Sequence, residues 1–347
     1  MPVDPRILMR IFHAEGNLIK NPGGFVISLD FELHWGVRDH RTVSQYRNNL
    51  LGARQAVPAI LELFELYGIH ATWATVGFLF FENLDDLKAA LPADLPQYRE
   101  THLDPYAALA EVGKNEAEDP FHFAPSLIRR ILAHEGQEIG THTLSHFYAL
   151  APGPTLESFR ADVRSAKTIA DQYGIVLKSI VFPRNQISRQ HLGICAEEGL
   201  TAYRSTEADP WIETGNGILS RAMRLADSYL ELNGDGCATP CLDEELPIVR
   251  VSGSRFLRPW SAVLRGFEDM RLRRICESMD AAAKSNKTFH LWWHPHNFGV
   301  HLEENMAFLT RIAEHYANTN RNTGWPSLTM AEVADNVLHA EKPHCVA

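Results

Sequence analysis

His142 and His146 stand four residues apart in the stretch Thr141-His142-Thr143-Leu144-Ser145-His146. On a helical turn two residues at that spacing share a face, so both imidazoles can close on one cation. A zinc site that performs chemistry takes three protein ligands and keeps one position open for water. A third ligand is on offer at Asp30-Phe31-Glu32, where an apolar run stops at two acids. On a continuing strand residues two apart point the same way, so one carboxylate can bind the metal while the other stays free as a base. His294 ends a later apolar run, followed by Pro295-His296-Asn297. A histidine there suits a general acid, because its ordinary pKa lies near neutrality. Together these residues describe a hydrolytic centre built on a divalent metal, with zinc the first choice. A two-histidine, one-carboxylate site also accepts cobalt, nickel or iron.

The elements that must position these groups alternate. Residues 25–29 form an apolar, β-branched run expected of a strand buried on both faces. A helical pattern over about 48–67, with Pro58 inside and Gly68 after it, leads to a second strand from His70 to Val76. The rhythm continues with a helix over Pro125–His134 and a strand into His142, then a helix capped by Thr155 and a strand over Ser179–Phe182. A helix capped by Ser188 precedes a strand at Ala202-Tyr203, and further strands are expected at Ile248–Val251 and Phe289–Trp293. Helices are expected over about 261–285, 303–317 and 330–339, the last opened by a Thr329/Glu332 capping box. Strand–helix alternation of this kind predicts an α/β fold: a distorted (β/α) barrel of roughly seven parallel strands with outer helices. Asp30, His142, Pro183-Arg184 and His294 all follow directly on expected strands, so they converge on one rim. The chain reads as a single catalytic barrel domain over 1–347, its core at about 22–340. Insertions at about 80–122 and 205–247 are candidate lids or substrate loops, or surface elaborations.

Composition bounds the partners. The chain has 347 residues, a net charge of −10, 45% hydrophobic and 22% charged residues. That is a globular balance, and the acidic charge argues against nucleic acid as a partner. No run approaches the length of a membrane span, and the opening Met1-Pro2-Val3-Asp4-Pro5 shows no secretory signal, so a cytoplasmic protein is expected. Five cysteines fit a reducing compartment, with Cys237 and Cys241 as ordinary loop thiols rather than a metal clip. The sequence leaves the oligomeric state open.

Five segments resemble, in order, the motifs of the polysaccharide deacetylase family of the NodB-homology, carbohydrate esterase type. They are Ile27-Ser28-Leu29-Asp30-Phe31-Glu32, Ala71-Thr72-Trp73-Ala74-Thr75-Val76-Gly77, His142-Thr143-Leu144-Ser145-His146, Phe182-Pro183-Arg184-Asn185 and Leu291-Trp292-Trp293-His294. The third matches the family's H-[ST]-x-x-H metal motif. The resemblance implies Asp30 as general base, and Glu32, His142 and His146 as metal ligands. It implies His294 as the acid that protonates the departing amine, with His296 an alternative, and Arg184 as the partner of Asp30. It further implies removal of an N-acetyl group from an amino sugar. With no export signal, a nucleotide- or lipid-linked intermediate of surface polysaccharide fits the substrate. Two departures stand out. Phe31 separates the two acids, leaving open which of Asp30 and Glu32 is the ligand, and Arg184 follows its proline instead of preceding it. Trp35 and Trp293, with Trp292 beside it, are candidate sugar platforms, because sugar rings stack on indole. His296 and Asn297 are candidate polar contacts to substrate. The rival functions are another amide hydrolase on the same fold, of the allantoinase or cyclic imidase kind, and a non-catalytic carbohydrate-binding protein.

Overall fold

The computed structural model describes residues 23–206 and 236–340. Strands β1 (Phe25–Phe31), β2 (Ala71–Thr75), β3 (Gln137–Thr141), β4 (Ser179–Ile180) and β5 (Ala202–Ser205) lie side by side and parallel. The short strand β6 (Cys241–Leu242) runs antiparallel to β7 (Val249–Ser252), which pairs with β5. Strand β8 (Arg255–Phe256) pairs with β9 (Phe289–Trp293), and β9 returns to the other edge of β1. A last strand, β10 (Ser327–Leu328), adds to the start of β1.

The sheet closes through one stretch of chain. From β7 the backbone passes through Gly253 and Ser254 straight into β8. Gly253 still donates to Ser205 on the β5 side (3.1 Å), while Ser254 already donates to His290 on β9 (2.8 Å). The ring therefore runs through β1, β2, β3, β4, β5, the bent β7–β8 segment and β9, as the alternation predicted.

Helix boundaries follow local chemistry. Thr42 forms a capping box with Gln45 and starts the helix Val43–Tyr67, five residues earlier than the apolar periodicity suggests. Gly68 ends it in the left-handed conformation (φ 60°), which costs glycine nothing. Thr155 and Thr329 open Leu156–Asp171 and Met330–His339 with capping boxes of their own, each side-chain cap contributing about 1 kcal/mol. The helix expected from 261 begins only at Glu268.

Strand pleating sorts the side chains. On β1 the even-numbered Ser28 and Asp30 face the barrel interior, where both meet Arg204. Trp293 faces the other way, against Phe64 of the helix Val43–Tyr67 and Phe298. The first expected insertion, about 80–122, is packed against the site: Tyr98 lies on Phe147 and Tyr148, and His122 on Trp35. Most of the second, 207–235, lies outside the described residues. Cys241 is disulfide-bonded, which corrects its reading as a loose thiol. Cys195 and Cys276 are free thiols, and Cys237 donates to the Ser278 carbonyl at 3.2 Å. Among the described residues no helix is long and apolar enough to cross a membrane.

Candidate metal centre

The histidine pair is not on a helix. After β3 the chain enters an irregular loop in which Thr143 (φ 65°) and His146 (φ 60°) both take left-handed backbone conformations. Such backbone persists only where its surroundings hold it. Here the buried Asp162 of the helix Leu156–Asp171 accepts from Leu144 N (2.7 Å) and Ser145 Oγ (2.5 Å), and Thr143 Oγ1 accepts from Phe147 N (2.7 Å). Thr143 and Ser145 thus brace the loop rather than the imidazole rings. The loop still brings the two rings together, with centroids 5.1 Å apart.

Glu32, just past β1, points between them. Its Oε2 lies 3.1 Å from His146 Nε2 and 3.2 Å from His142 Nε2. Ligands about 2.0–2.1 Å from a tetrahedral ion stand about 3.3 Å apart, so the spacing suits a zinc-like cation. Tautomers point the same way. His142 Nδ1 lies 2.8 Å from the Val181 carbonyl, which can only accept, so Nδ1 carries the proton. In the neutral ring that a metal requires, Nε2 then turns a lone pair on a carboxylate oxygen that has only lone pairs. Two acceptors at 3.2 Å repel unless a positive charge sits between them. Burial pushes the His146 ring down to about 4, which keeps it in the neutral form a metal requires. Burial alone would raise the Glu32 carboxyl, but the charge of His294, followed by the close approach of His142 and His146, holds it well below the usual range. The donor set Glu32, His142 and His146 therefore fits a divalent metal.

Asp30 is not held by Arg184, which corrects the pairing implied above. Arg204 of β5 holds it with two parallel hydrogen bonds, Nη1 to Oδ1 at 2.7 Å and Nη2 to Oδ2 at 2.8 Å. Arg184 instead pairs with Asp39 and lies over the Tyr148 ring at 4.5 Å. Arg204 also donates to Ser28 Oγ (3.0 Å), which meets His290 Nε2 (2.8 Å), and its guanidinium lies 4.2 Å over Trp292. Burial would raise the Asp30 carboxyl, yet Arg204, then His294 and His142, hold it below its ordinary value. Asp30 is thus an ionised, oriented carboxylate. No motif flagged Arg204 or His290, and Ser28, although inside the first motif, was assigned no role. The one signal was their shared parity with the site residues on inward-facing strands, which needs the strand register to be useful.

His294 reaches in from the end of β9. Its Nε2 lies 3.5 Å from Asp30 Oδ2 and 3.6 Å from Glu32 Oε1, while Asn297 Nδ2 stands 3.4 Å from its Nδ1. An amide donor at Nδ1 leaves the ring proton on Nε2, facing the carboxylates. Asn297 in turn accepts from Tyr46 OH at 3.3 Å, so it orients His294. His296 is buried, stacked on His294 at 5.1 Å, and burial followed by the charge of His294 pushes it down to about 3. Trp35 and Trp293 are fully buried, and neither offers a free ring face. Trp35 donates its Nε1 to the His122 carbonyl and packs on Phe78. Both are corrected from sugar platforms to core. Trp292, partly exposed and 6.0 Å from His294, is the indole that borders the site.

This barrel matches solved structures over nearly its whole length. A Mycobacterium smegmatis protein assigned as a polysaccharide deacetylase superposes with a TM-score of 0.57 at 13% identity, covering 94% of each chain. The chain has the polysaccharide deacetylase fold. PuuE allantoinase shares it, with a TM-score of 0.55 at 14% identity over 94% of each chain. So does a family GH57 branching enzyme from Thermococcus kodakaraensis, at 0.58 and 11% identity, over 93% of this chain and 72% of that one. No family model and no curated protein matches the sequence. A polysaccharide deacetylase fold hosts several chemistries, so the chemistry here has to be argued from the site residues.

One contact in this fold gives a local test. A Cβ added at Gly36 would sit 1.9 Å from Glu32 Cδ and 2.0 Å from its Oε1. Gly36→Ala is expected to push the Glu32 carboxylate aside and to weaken metal binding by about 10–100-fold, the range for disturbing a ligand's support. Unaltered metal affinity in that variant, measured by chelator competition, would remove Glu32 from the ligand set.

Proposed function

We propose that this chain is a metal-dependent amide hydrolase that removes the N-acetyl group from an amino sugar. The observation that carries the reading is the convergence of His142 and His146 Nε2 on Glu32 Oε2, at 3.2 and 3.1 Å, beside an ionised Asp30. Glu32, His142 and His146 would hold the ion, most simply zinc. When bound, a divalent cation supplies Lewis acidity at the scissile carbonyl and a water easier to deprotonate. Asp30 takes the proton from the attacking water, and Arg204 keeps it ionised and aimed. His294 delivers its Nε2 proton to the departing nitrogen, so the amide plus water becomes acetate plus amine. Asn297 holds His294 in the required tautomer, and His296 backs its ring.

The substrate we propose is an N-acetylated amino sugar on a phosphate-bearing carrier, a nucleotide or a lipid. Two guanidinium groups support the carrier. Arg38 and Arg184 lie 5.9 and 4.5 Å over the Tyr148 ring, which itself meets the His146 ring edge-on at 5.1 Å. Arg38 is half-buried, donates to the His102 carbonyl (3.0 Å) and the Leu103 carbonyl, and makes no salt bridge among the described residues, so its charge is left for an anionic ligand. The whole chain would act as one catalytic barrel, its 80–122 segment walling the site.

The purified protein is expected to carry about one divalent ion per chain, and a His142→Ala/His146→Ala variant none. Elemental analysis of both, beside acetate release from N-acetylated nucleotide sugars, tests the reading. Absence of metal in the wild type after reconstitution would sink it and bring forward the metal-free amidase. Bound metal without release of acetate from any such sugar would favour a carbohydrate-binding protein.

A further inference from the structure

Between His142 and Tyr148 the chain satisfies its buried amides mainly through side chains. His142 N donates to the Thr75 carbonyl at 2.9 Å. Thr143 N goes to Thr141 Oγ1 (3.0 Å), Phe147 N to Thr143 Oγ1 (2.7 Å) and Tyr148 N to Tyr98 OH (3.0 Å). Leu144 N and Ser145 Oγ both go to Asp162, at 2.7 and 2.5 Å. Leu144 and Ser145 lie between the two histidines, on the stretch that turns left-handed at Thr143 and again at His146. Asp162 thus grips the chain midway between the two strained positions.

The two rings differ in what else holds them. His142 is fixed by its own Nδ1 contact to the Val181 carbonyl at 2.8 Å. The Nδ1 of His146 is buried without a hydrogen-bond partner. A metal-binding histidine ordinarily donates its second nitrogen to an outer partner that fixes the ring. Lacking one, His146 takes its place from the loop backbone, with the Tyr148 ring edge-on against it at 5.1 Å. Among the groups that receive the loop's donors, Asp162 alone can bear a charge. It is 0% exposed, and burial pushes its carboxyl up to about 6, a rise that the Ser145 and Leu144 hydrogen bonds limit. At neutral pH it is ionised, and bonds of 2.5 and 2.7 Å are those of a charged acceptor.

We infer that Asp162 is a positioning residue for the metal: by holding Leu144 and Ser145 it aims His146 at Glu32 and sets the affinity of the site for its cation. It touches neither ion nor substrate and acts through the loop alone. The inference rests on the proposed role of Glu32, His142 and His146 as ligands.

The test is the affinity of the full chain for Zn²⁺ by chelator competition, beside the thermal midpoint of the same preparations. Asp162→Asn keeps the size of the side chain, removes the charge and sets an N–H where a carboxylate oxygen now accepts. It is expected to weaken zinc binding by about 10–100-fold, the range for losing a ligand's outer support. With Co²⁺ in place of zinc, the same variant should show an altered visible spectrum although all three ligands are present. Thr155→Ala uncaps the same helix without touching the loop, so it should lower the midpoint and leave zinc affinity at the wild-type value. Ser145→Ala removes one of the two Asp162 bonds at a small side chain and should weaken zinc binding in the same direction. It decides the matter if Asp162→Asn does not fold. Wild-type affinity in the deciding variant would overturn the inference, and so would an equal loss in Thr155→Ala, which would reduce the effect to general stability. A wild type that binds no zinc would instead defeat the proposed metal reading, and this inference with it. Zinc affinity lost in Asp162→Asn stands whether or not any N-acetyl sugar is hydrolysed.

Discussion

Asp30→Asn is expected to lower turnover by about 10²–10⁴-fold, the range that a positioned general base supplies, while the metal stays bound. Asparagine keeps the shape of the side chain but cannot take a proton from water. It also turns an amide N–H toward Arg204, where two guanidinium nitrogens now donate at 2.7 and 2.8 Å. Glu32, His142 and His146 are untouched, so metal content should match wild type. Steady-state acetate release and elemental analysis on the same preparation decide it. Wild-type turnover would end the assignment of Asp30 as base, and loss of the ion together with activity would make Asp30 a ligand instead.

Arg204→Met should cost more in stability than any surface change. Arg204 and Asp30 are both nearly inaccessible, and removing one partner of a buried pair costs about 3–5 kcal/mol because the other charge is left uncompensated. The pH dependence should change with it. At present the Asp30 carboxyl titrates below its ordinary value, with Arg204 the leading cause that offsets burial. A depressed carboxylate contributes stability that is present above its unfolded value near about 3.9 and is lost as pH falls through the folded one. Without Arg204 burial prevails, the carboxyl rises, and the base is protonated at higher pH. The acid limb of kcat/KM should therefore move upward in pH, alongside a lower thermal midpoint. Arg184→Met, which removes the pair with Asp39 and the contact with the Tyr148 ring but nothing that touches Asp30, should leave that limb in place. A pH profile that moves with Arg184 and not with Arg204 would restore the pairing implied by sequence resemblance.

Much of this was legible in the sequence, for a physical reason. Apolar runs ending at Asp30, His142 and His294 mark the carboxyl ends of parallel strands, where a barrel gathers its loops. Capping residues such as Thr155, Ser188 and Thr329 fixed helix starts, because a cap acts within one turn of chain. The candidate donors His142 and His146 were marked by local spacing and Glu32 by the family resemblance, although a braced loop with two left-handed residues, rather than the helical turn that the spacing suggests, brings the rings together.

What the sequence could not decide are the partners chosen across the sheet. Which arginine reaches Asp30 depends on the register that sets Arg204 of β5 across the barrel from β1, a contact 174 residues apart. Which tryptophan borders the site depends on strand parity: Trp292 faces inward and Trp293 the helices, and slipping the register by one residue would exchange them. The approach of His294 to Asp30 and Glu32 is likewise visible only once β9 lies beside β1. Local spacing determines which side chains can do chemistry. Long-range pairing, which no short window of sequence encodes, determines which of them meet.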